Sequence, residues 1–314
     1  MTKAAVGQIC SSNSMAHNLE QCVKLVGKAA AAGAKILFLP EASDYISTSP
    51  EESLSLAQPV TASLFVKGLQ AAAKHHSLAI HAGVHIPVTV QPTTGSSSNP
   101  VVPSVPQSPT SSVSETTTKL YNSTLYIHPT GTIDSSQTYN KLHLFDYGSL
   151  RESSTTQAGN ALIPPVPSPI GRLGSLICFD LRFPEPSLHL TRSPNHEPAH
   201  VLLYPSAFTV ATGYAHWQVL LRARAIETQS FVIASAQVGC HNPGLSKRVS
   251  YGRSTVIDPW GRVLLELKGV RDDGEDAEDG AVGELGIVDI NLEEWERVRE
   301  KMPLVRRTDV YPSF

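Results

Sequence analysis

Nothing in the 314-residue sequence approaches the run of roughly 20 apolar residues that a membrane span requires. Four cysteines, at positions 10, 22, 178 and 240, are too few and too scattered for a disulfide framework, which points to a reducing compartment. The first residues, Met1–Cys10, lead straight into a strand-like pattern and lack the long apolar core of a signal peptide. The expected location is the cytoplasm, with a mitochondrial form from an alternative start as the other option. Charge of one sign is also missing: 25 basic residues face 28 acidic ones, and six of those acids fall between Asp272 and Asp279. That balance excludes the basic field of a nucleic-acid binder, and the acidic run lacks the ordered positions of a calcium loop. Neither nucleic acid nor a membrane is therefore expected as a partner.

What is present is a composition that can bury a core, 41% hydrophobic and 17% charged. Ala4–Ile9 reads as a buried strand. Leu19, Cys22, Val23, Val26 and Ala30 then recur at helical spacing, with Asn13 or Ser14 as N-cap and Gly33 just past the end. Ile36–Leu39 is a second strand, followed by a helix over 62–75 and a strand over 78–85. Further strands are expected over 174–177, 201–204, 231–236, 254–257 and 263–267, with helices from Glu185 and over 214–228. Tyr121–Ile127 and Thr132–Tyr139 look like a hairpin around Pro129-Thr130-Gly131. This alternation predicts layered sheets and helices in a single domain, 1–314. Residues 91–118 interrupt it: 19 of these 28 are Ser, Thr or Pro, too little apolar surface to offset ordering, so a disordered surface insertion is expected.

Three strand ends each deliver a reactive side chain. Glu41 follows Ile36–Pro40, Lys141 follows a strand ending near Tyr139, and Cys178 follows Leu176-Ile177. In layered α/β folds, side chains just beyond strand C-termini converge on one crevice. Taken singly, each has an ordinary reading: a core thiol, a solvated cap, a surface lysine.

Their context is more specific. Phe38-Leu39-Pro40-Glu41, Tyr139–Asp146 (YNKLHLFD) and Ile177–Glu185 (ICFDLRFPE) resemble, in order, the three signatures of the nitrilase superfamily, the carbon–nitrogen hydrolases. Agreement continues in Pro205–Phe208, His216-Trp217, Leu221–Glu227 and Asp258–Gly261, so the likeness covers the chain apart from 91–118 and the acidic loop. The resemblance implies a four-layer α-β-β-α sandwich, a homodimer, and an amidase that acts on a small molecule without metal or organic cofactor. Glu41 would act as general base, Cys178 as the nucleophile that forms a thioester, and Lys141 as the oxyanion-stabilising cation, helped by the Phe179 N–H. A second glutamate often stands near the lysine in this family. Glu152 is the best match, an ordinary exposed glutamate being the alternative.

For substrate, the resemblance implies Arg182 as a carboxylate clamp and Phe208 and Thr212 as contacts to the acyl part. The other readings are an Arg182 pairing with Asp180 or Glu185, and a Phe208 that is plain core. The segment Arg248–Ser254 and the C-terminal stretch from Met302 to Asp309 are most similar to the branch that cleaves a 2-oxo-dicarboxylate from Cys-Gly. The branch acting on 2-oxoglutaramate comes second, and a catalytically silent binder of an acyl ligand or a protein is the alternative from another class. Arg248, Arg306 and Arg307 are expected at the leaving peptide's carboxylate. His75, His76, His81, His85, His189, His196 and His200 lack metal-ligand spacing and are discounted, as are Cys10, Cys22 and Cys240, read as buried thiols.

Overall fold

A computed structural model describes residues 1–91, 116–147 and 150–311. Its first strand, Thr2–Gly7, is followed by a helix, Met15–Ala31, whose N-cap is Ser14: the Ser14 hydroxyl accepts the His17 N–H. Cys22, Leu25, Val26 and Ala29 form the buried stripe of this helix, at the spacing one helical face requires. Val23, expected on that face, is 37% exposed; Leu25 takes its place. Ser63 caps the next long helix, Leu64–His76, and Leu69, Ala72 and Ala73 bury against the same sheet.

Two six-stranded sheets make the centre. In the first, Thr2–Gly7, Ile36–Phe38 and Ala79–Val90 run parallel, and Leu285–Ile290 closes one edge antiparallel to Thr2–Gly7. On the other side Thr117–Ile127 pairs antiparallel with Ala79–Val90, and Tyr139–Asn140 follows. The second sheet repeats the plan: Gly171–Ser175, Val201–Leu203 and Phe231–Ala234 are parallel, flanked by antiparallel strands Val166–Ser168, Thr255–Ile257 and Val263–Glu266.

Side chains alternate across a strand, so each sheet has two apolar faces to cover. Ala4, Val6, Ile36 and Phe38 of the first sheet pack on Leu173, Val201, Phe231 and Ile233 of the second, forming the inner layer. The outer face of the first sheet (Ala5, Leu37, Ile80) meets the helices Met15–Ala31 and Leu64–His76. That of the second (Leu202, Val232, Ala234) meets Leu190 of helix Pro184–Arg192 and Trp217, Leu221 and Ala225 of helix Val210–Thr228. The order is α-β-β-α, as expected.

Several boundaries differ from the sequence reading. Thr117 and Thr118 belong to a strand, where they face Val90 and Thr89, so the expected insertion is too wide at this end. Residues 92–115, all of the rest except Gln91 and Thr116, lie outside the described residues. The expected hairpin of 121–127 with 132–139 forms with an interruption: Ile127 bridges Ile133, and Thr124 pairs antiparallel with Tyr139. A 3₁₀ turn at Ser135–Gln137 intervenes, and pairing resumes at Tyr139–Asn140. The sequence reading also missed the helices Pro50–Leu56 and Leu292–Lys301 and the edge strand Leu285–Ile290.

Candidate active site

The crevice predicted at the strand ends is present. Glu41 sits just past Ile36–Phe38, Lys141 just past Tyr139–Asn140, and Cys178 opens the 3₁₀ turn Cys178–Arg182 beyond Gly171–Ser175. All three are buried, and together they line a cleft of about 390 Å³.

Lys141 is the hub. Its Nζ donates to Glu41 Oε1 at 2.8 Å and to both carboxylate oxygens of Glu152, at 2.9 and 3.1 Å. Asn122 ties the same two carboxylates together, its Nδ2 donating to Glu41 Oε1 (2.7 Å) and Glu152 Oε1 (3.0 Å). The Phe145 N–H donates to Glu152 Oε2 at 2.7 Å, so Glu152 is held in the cluster rather than left to solvent. Asn122 was not found from sequence: it is one polar residue in a strand, 81 positions from Glu41.

Burial opposes charge on Glu41, but the Lys141 cation and hydrogen bonds from Lys141, Cys178 and Asn122 outweigh it and hold the carboxyl below its usual range. Burial likewise works against the Lys141 cation, and the charges of Glu152 and Glu41 overcome it, keeping the ammonium protonated. For Cys178, burial and then the Glu41 charge push the thiol up, against smaller opposing contributions from Lys141 and the Ala207 backbone. The resting cluster is therefore carboxylate, ammonium and neutral thiol.

Two backbone features fix these groups. Cys178 has φ +47°, a left-handed conformation costly for a side-chain-bearing residue, and its N–H donates to Pro205 O at 3.0 Å. Asp180, fully buried, accepts from Ile177 N (3.0 Å), Tyr139 OH (2.7 Å) and His143 N and Nδ1 (3.0 and 2.8 Å), tying the cysteine turn to the lysine loop. On the Glu41 side, Gly83 donates to Pro40 O, and a Cβ on it would lie 2.6 Å from both Pro40 O and Glu41 Cα. Gly83→Ala is therefore expected to displace Glu41. We expect a kcat loss of about a hundredfold, the usual consequence of a misplacement near 1 Å, with a stability loss of about 1–3 kcal/mol. Steady-state kinetics and urea unfolding check this; an unchanged kcat would mean that Gly83 does not set the Glu41 position.

Arg182, Phe208 and Thr212 all line the cleft. Arg182 pairs with neither Asp180 nor Glu185: its Nη2 donates to His216 Nδ1 at 2.9 Å, its guanidinium lies 5.8 Å from the Phe208 ring centre, and its buried Nε has no partner among the described residues. Arg248 and Arg151 line the cleft as well, and no carboxylate lies within ion-pair distance of either, or of Arg182, among the described residues. The expectation for Arg306 and Arg307 fails. Neither lines the cleft, and Arg307 pairs with Asp309 at 2.8 Å. Of the histidines discounted as metal ligands, His85 lines the cleft, satisfied by hydrogen bonds to Asp44. No group of metal-ligating side chains occurs among the described residues. Cys22 is fully buried as expected, whereas Cys10 and Cys240 are half-buried.

A buried thiol, a carboxylate and an ammonium gathered at the strand ends of an α-β-β-α sandwich are the equipment of a thiol-dependent hydrolase. The family description "carbon-nitrogen hydrolase" matches residues 3–300. The chain is 40% identical to "Probable hydrolase nit2" of Schizosaccharomyces pombe, over the full length of both. It is 36% identical to the deaminated glutathione amidase of Rattus norvegicus, covering 99% of this chain and 84% of that one. The crystal structure of the Caenorhabditis elegans NitFhit protein superposes with a TM-score of 0.78 at 34% identity, covering 99% of this chain and 66% of that one. This chain belongs to the carbon–nitrogen hydrolase family of the nitrilase superfamily. It is an amidase, a hydrolase of carbon–nitrogen bonds other than peptide bonds.

Proposed function

We propose that the enzyme hydrolyses the amide of a small 2-oxo acid, through a thioester on Cys178, and that its preferred substrate is deaminated glutathione. The observation that carries this reading is electrostatic. Among the described residues, the two carboxylates that line the cleft, Glu41 and Glu152, are both paired with Lys141, while Arg151, Arg182 and Arg248 also line it with no carboxylate at ion-pair distance. Such a cleft favours a substrate that brings carboxylates at two ends. Deaminated glutathione has one on the oxo-acid side and one on the Cys-Gly side; 2-oxoglutaramate has the oxo-acid carboxylate alone. The relatives named for deaminated glutathione support the same choice.

In this mechanism Glu41 accepts the thiol proton as Cys178 attacks the amide carbon, and passes it to the departing amine. Lys141 faces the developing oxyanion, with the Phe179 N–H as second donor. Glu152 holds Lys141 in place, and Glu41 then activates the water that releases the acid. Arg182, Phe208 and Thr212 receive the acyl portion and Arg248 the peptide carboxylate. The thiol is neutral at rest, so proton transfer accompanies attack. No metal or cofactor takes part, and the working unit is a cytoplasmic homodimer.

The test compares kcat/KM for deaminated glutathione and 2-oxoglutaramate on one preparation. An additional charge-assisted contact through Arg248 is worth about 1.5–3 kcal/mol, so the peptide-bearing substrate should lead by about ten- to a hundredfold. Arg248→Ala should narrow that lead, whereas Arg182→Ala should damage both reactions alike. Equal values, or a preference for 2-oxoglutaramate, would assign the enzyme to ω-amidase chemistry.

A further inference from the structure

His85 is a cleft residue that the mechanism above leaves unused. It lies on the strand Ala79–Val90, with its side chain 14% exposed and its ring stacked on Tyr45, centres 4.4 Å apart at 26°. Asp44, three residues beyond the candidate base Glu41, fixes it twice. Asp44 Oδ1 lies 3.0 Å from His85 Nδ1, and Asp44 Oδ2 accepts the His85 backbone N–H at 2.7 Å. Asp44 is itself anchored: its side chain accepts the Tyr45 N–H, and its carbonyl accepts from Asn18 Nδ2. A ring held this way has Nδ1 as donor to the carboxylate, which commits Nε2 as the nitrogen presented to the cleft.

We propose that the Asp44–His85 pair is a specificity-determining element, in which His85 Nε2 donates to an anionic oxygen of the bound oxo-acid amide from the part of the cleft that the first sheet supplies. This rests on the reading of the substrate as a carboxylate-bearing amide. The geometry suits it: Arg182, Phe208, Thr212 and Arg248 come to the cleft from segments of the second half of the chain, whereas His85 and Tyr45 come from the first sheet and its loop. The oxo-acid carboxylate, common to both amides, would then meet Arg182 through one oxygen and His85 through the other.

The charged groups around His85 fit a cationic ring. Burial works against its proton, but the charge and hydrogen bond of Asp44, with the more distant Glu41 and Glu152, raise its basicity above the ordinary histidine value. Glu41 and Glu152 are each bonded to Lys141, and Tyr45, stacked on the ring, stays neutral because burial and Asp44 push its phenol up. The ring is therefore charged below its raised pKa and loses that charge as pH rises through it.

The experiment compares wild type, His85→Gln and His85→Phe with deaminated glutathione, 2-oxoglutaramate and an uncharged aliphatic amide, each across pH 5.5–9. His85→Gln keeps a polar donor without the charge, and His85→Phe keeps the stack on Tyr45 without the donor. For wild type, KM for the two oxo-acid amides should rise with pH as His85 deprotonates, and KM for the uncharged amide should not. Both variants should raise KM for the oxo-acid amides about ten- to a hundredfold, the loss of one charge-assisted hydrogen bond. They should flatten the pH dependence and leave kcat and the uncharged reaction within about twofold. Binding of 2-oxoglutarate to Cys178→Ala, with and without His85→Gln, reads the same contact without turnover. If wild type shows no preference for oxo-acid amides over the uncharged one, the substrate reading fails. If wild type keeps that preference and both variants retain its KM and pH profile, the substrate reading stands and the role of His85 is overturned. A variant that lowers kcat on all three amides alike would make His85 a purely structural residue and equally overturn the proposal.

Discussion

Lys141→Met is expected to destabilise the fold by about 3–5 kcal/mol while also abolishing turnover. Removing one partner of a buried ion cluster leaves the others uncompensated, and the cost falls in that range. Here two carboxylates would be stranded, because Glu41 and Glu152 both bond to the one ammonium. Methionine fills much of the same volume, so the loss would report charge rather than a cavity. The pH dependence gives the sign. In wild type the Glu41 pKa is lowered on folding, so its contribution is present above the ordinary carboxylate range and is lost as pH falls through the depressed value. In the variant the Glu41 carboxyl is buried without its cation, its pKa rises, and protonation relieves the penalty. The gap in unfolding free energy between wild type and variant should therefore be large at pH 8 and smaller at pH 5. Urea unfolding at the two values measures it; a gap independent of pH would contradict the ion cluster.

Cys178→Ala is expected to abolish amide hydrolysis with the fold retained. The side chain is small and its backbone N–H still reaches Pro205 O, so little packing is lost. Cys178→Ser should be nearly as inactive. The hydroxyl is far harder to deprotonate than a thiol, and Glu41, held below the usual carboxylate range, is a weak base for it. Product release by either variant at a rate near wild type, with matching thermal unfolding curves, would remove Cys178 from the mechanism.

How far the sequence was legible followed from the range of the interactions. Glu41, Lys141 and Cys178 stood out because each ends an apolar strand run within a motif of several residues. The Met15–Ala31 helix was legible because its buried stripe repeats at local spacing. Asn122 and the Asp44–His85 pair were not, since single polar residues in or beside strands acquire meaning only from partners 41 to 81 positions away. His216 escaped as a partner for the same reason. Asp180 and Glu185 are the local acids, yet the cysteine turn aims Asp180 at Tyr139 and His143 and leaves Arg182 facing helix Val210–Thr228. The edge strand Leu285–Ile290 pairs with Thr2–Gly7 at the other end of the sequence, so nothing local announced that pairing.

The central claim is that Cys178 carries the acyl group, and acid-quenched mass spectrometry tests it most directly. Wild-type enzyme mixed with excess deaminated glutathione, quenched during turnover and digested, should yield the peptide containing Cys178 with the added mass of one 2-oxoglutaryl group. The adduct should vanish on treatment with hydroxylamine, as a thioester does, and be missing from Cys178→Ala. Steady turnover with the acyl group on another residue would contradict the account. So would turnover that survives in Cys178→Ala.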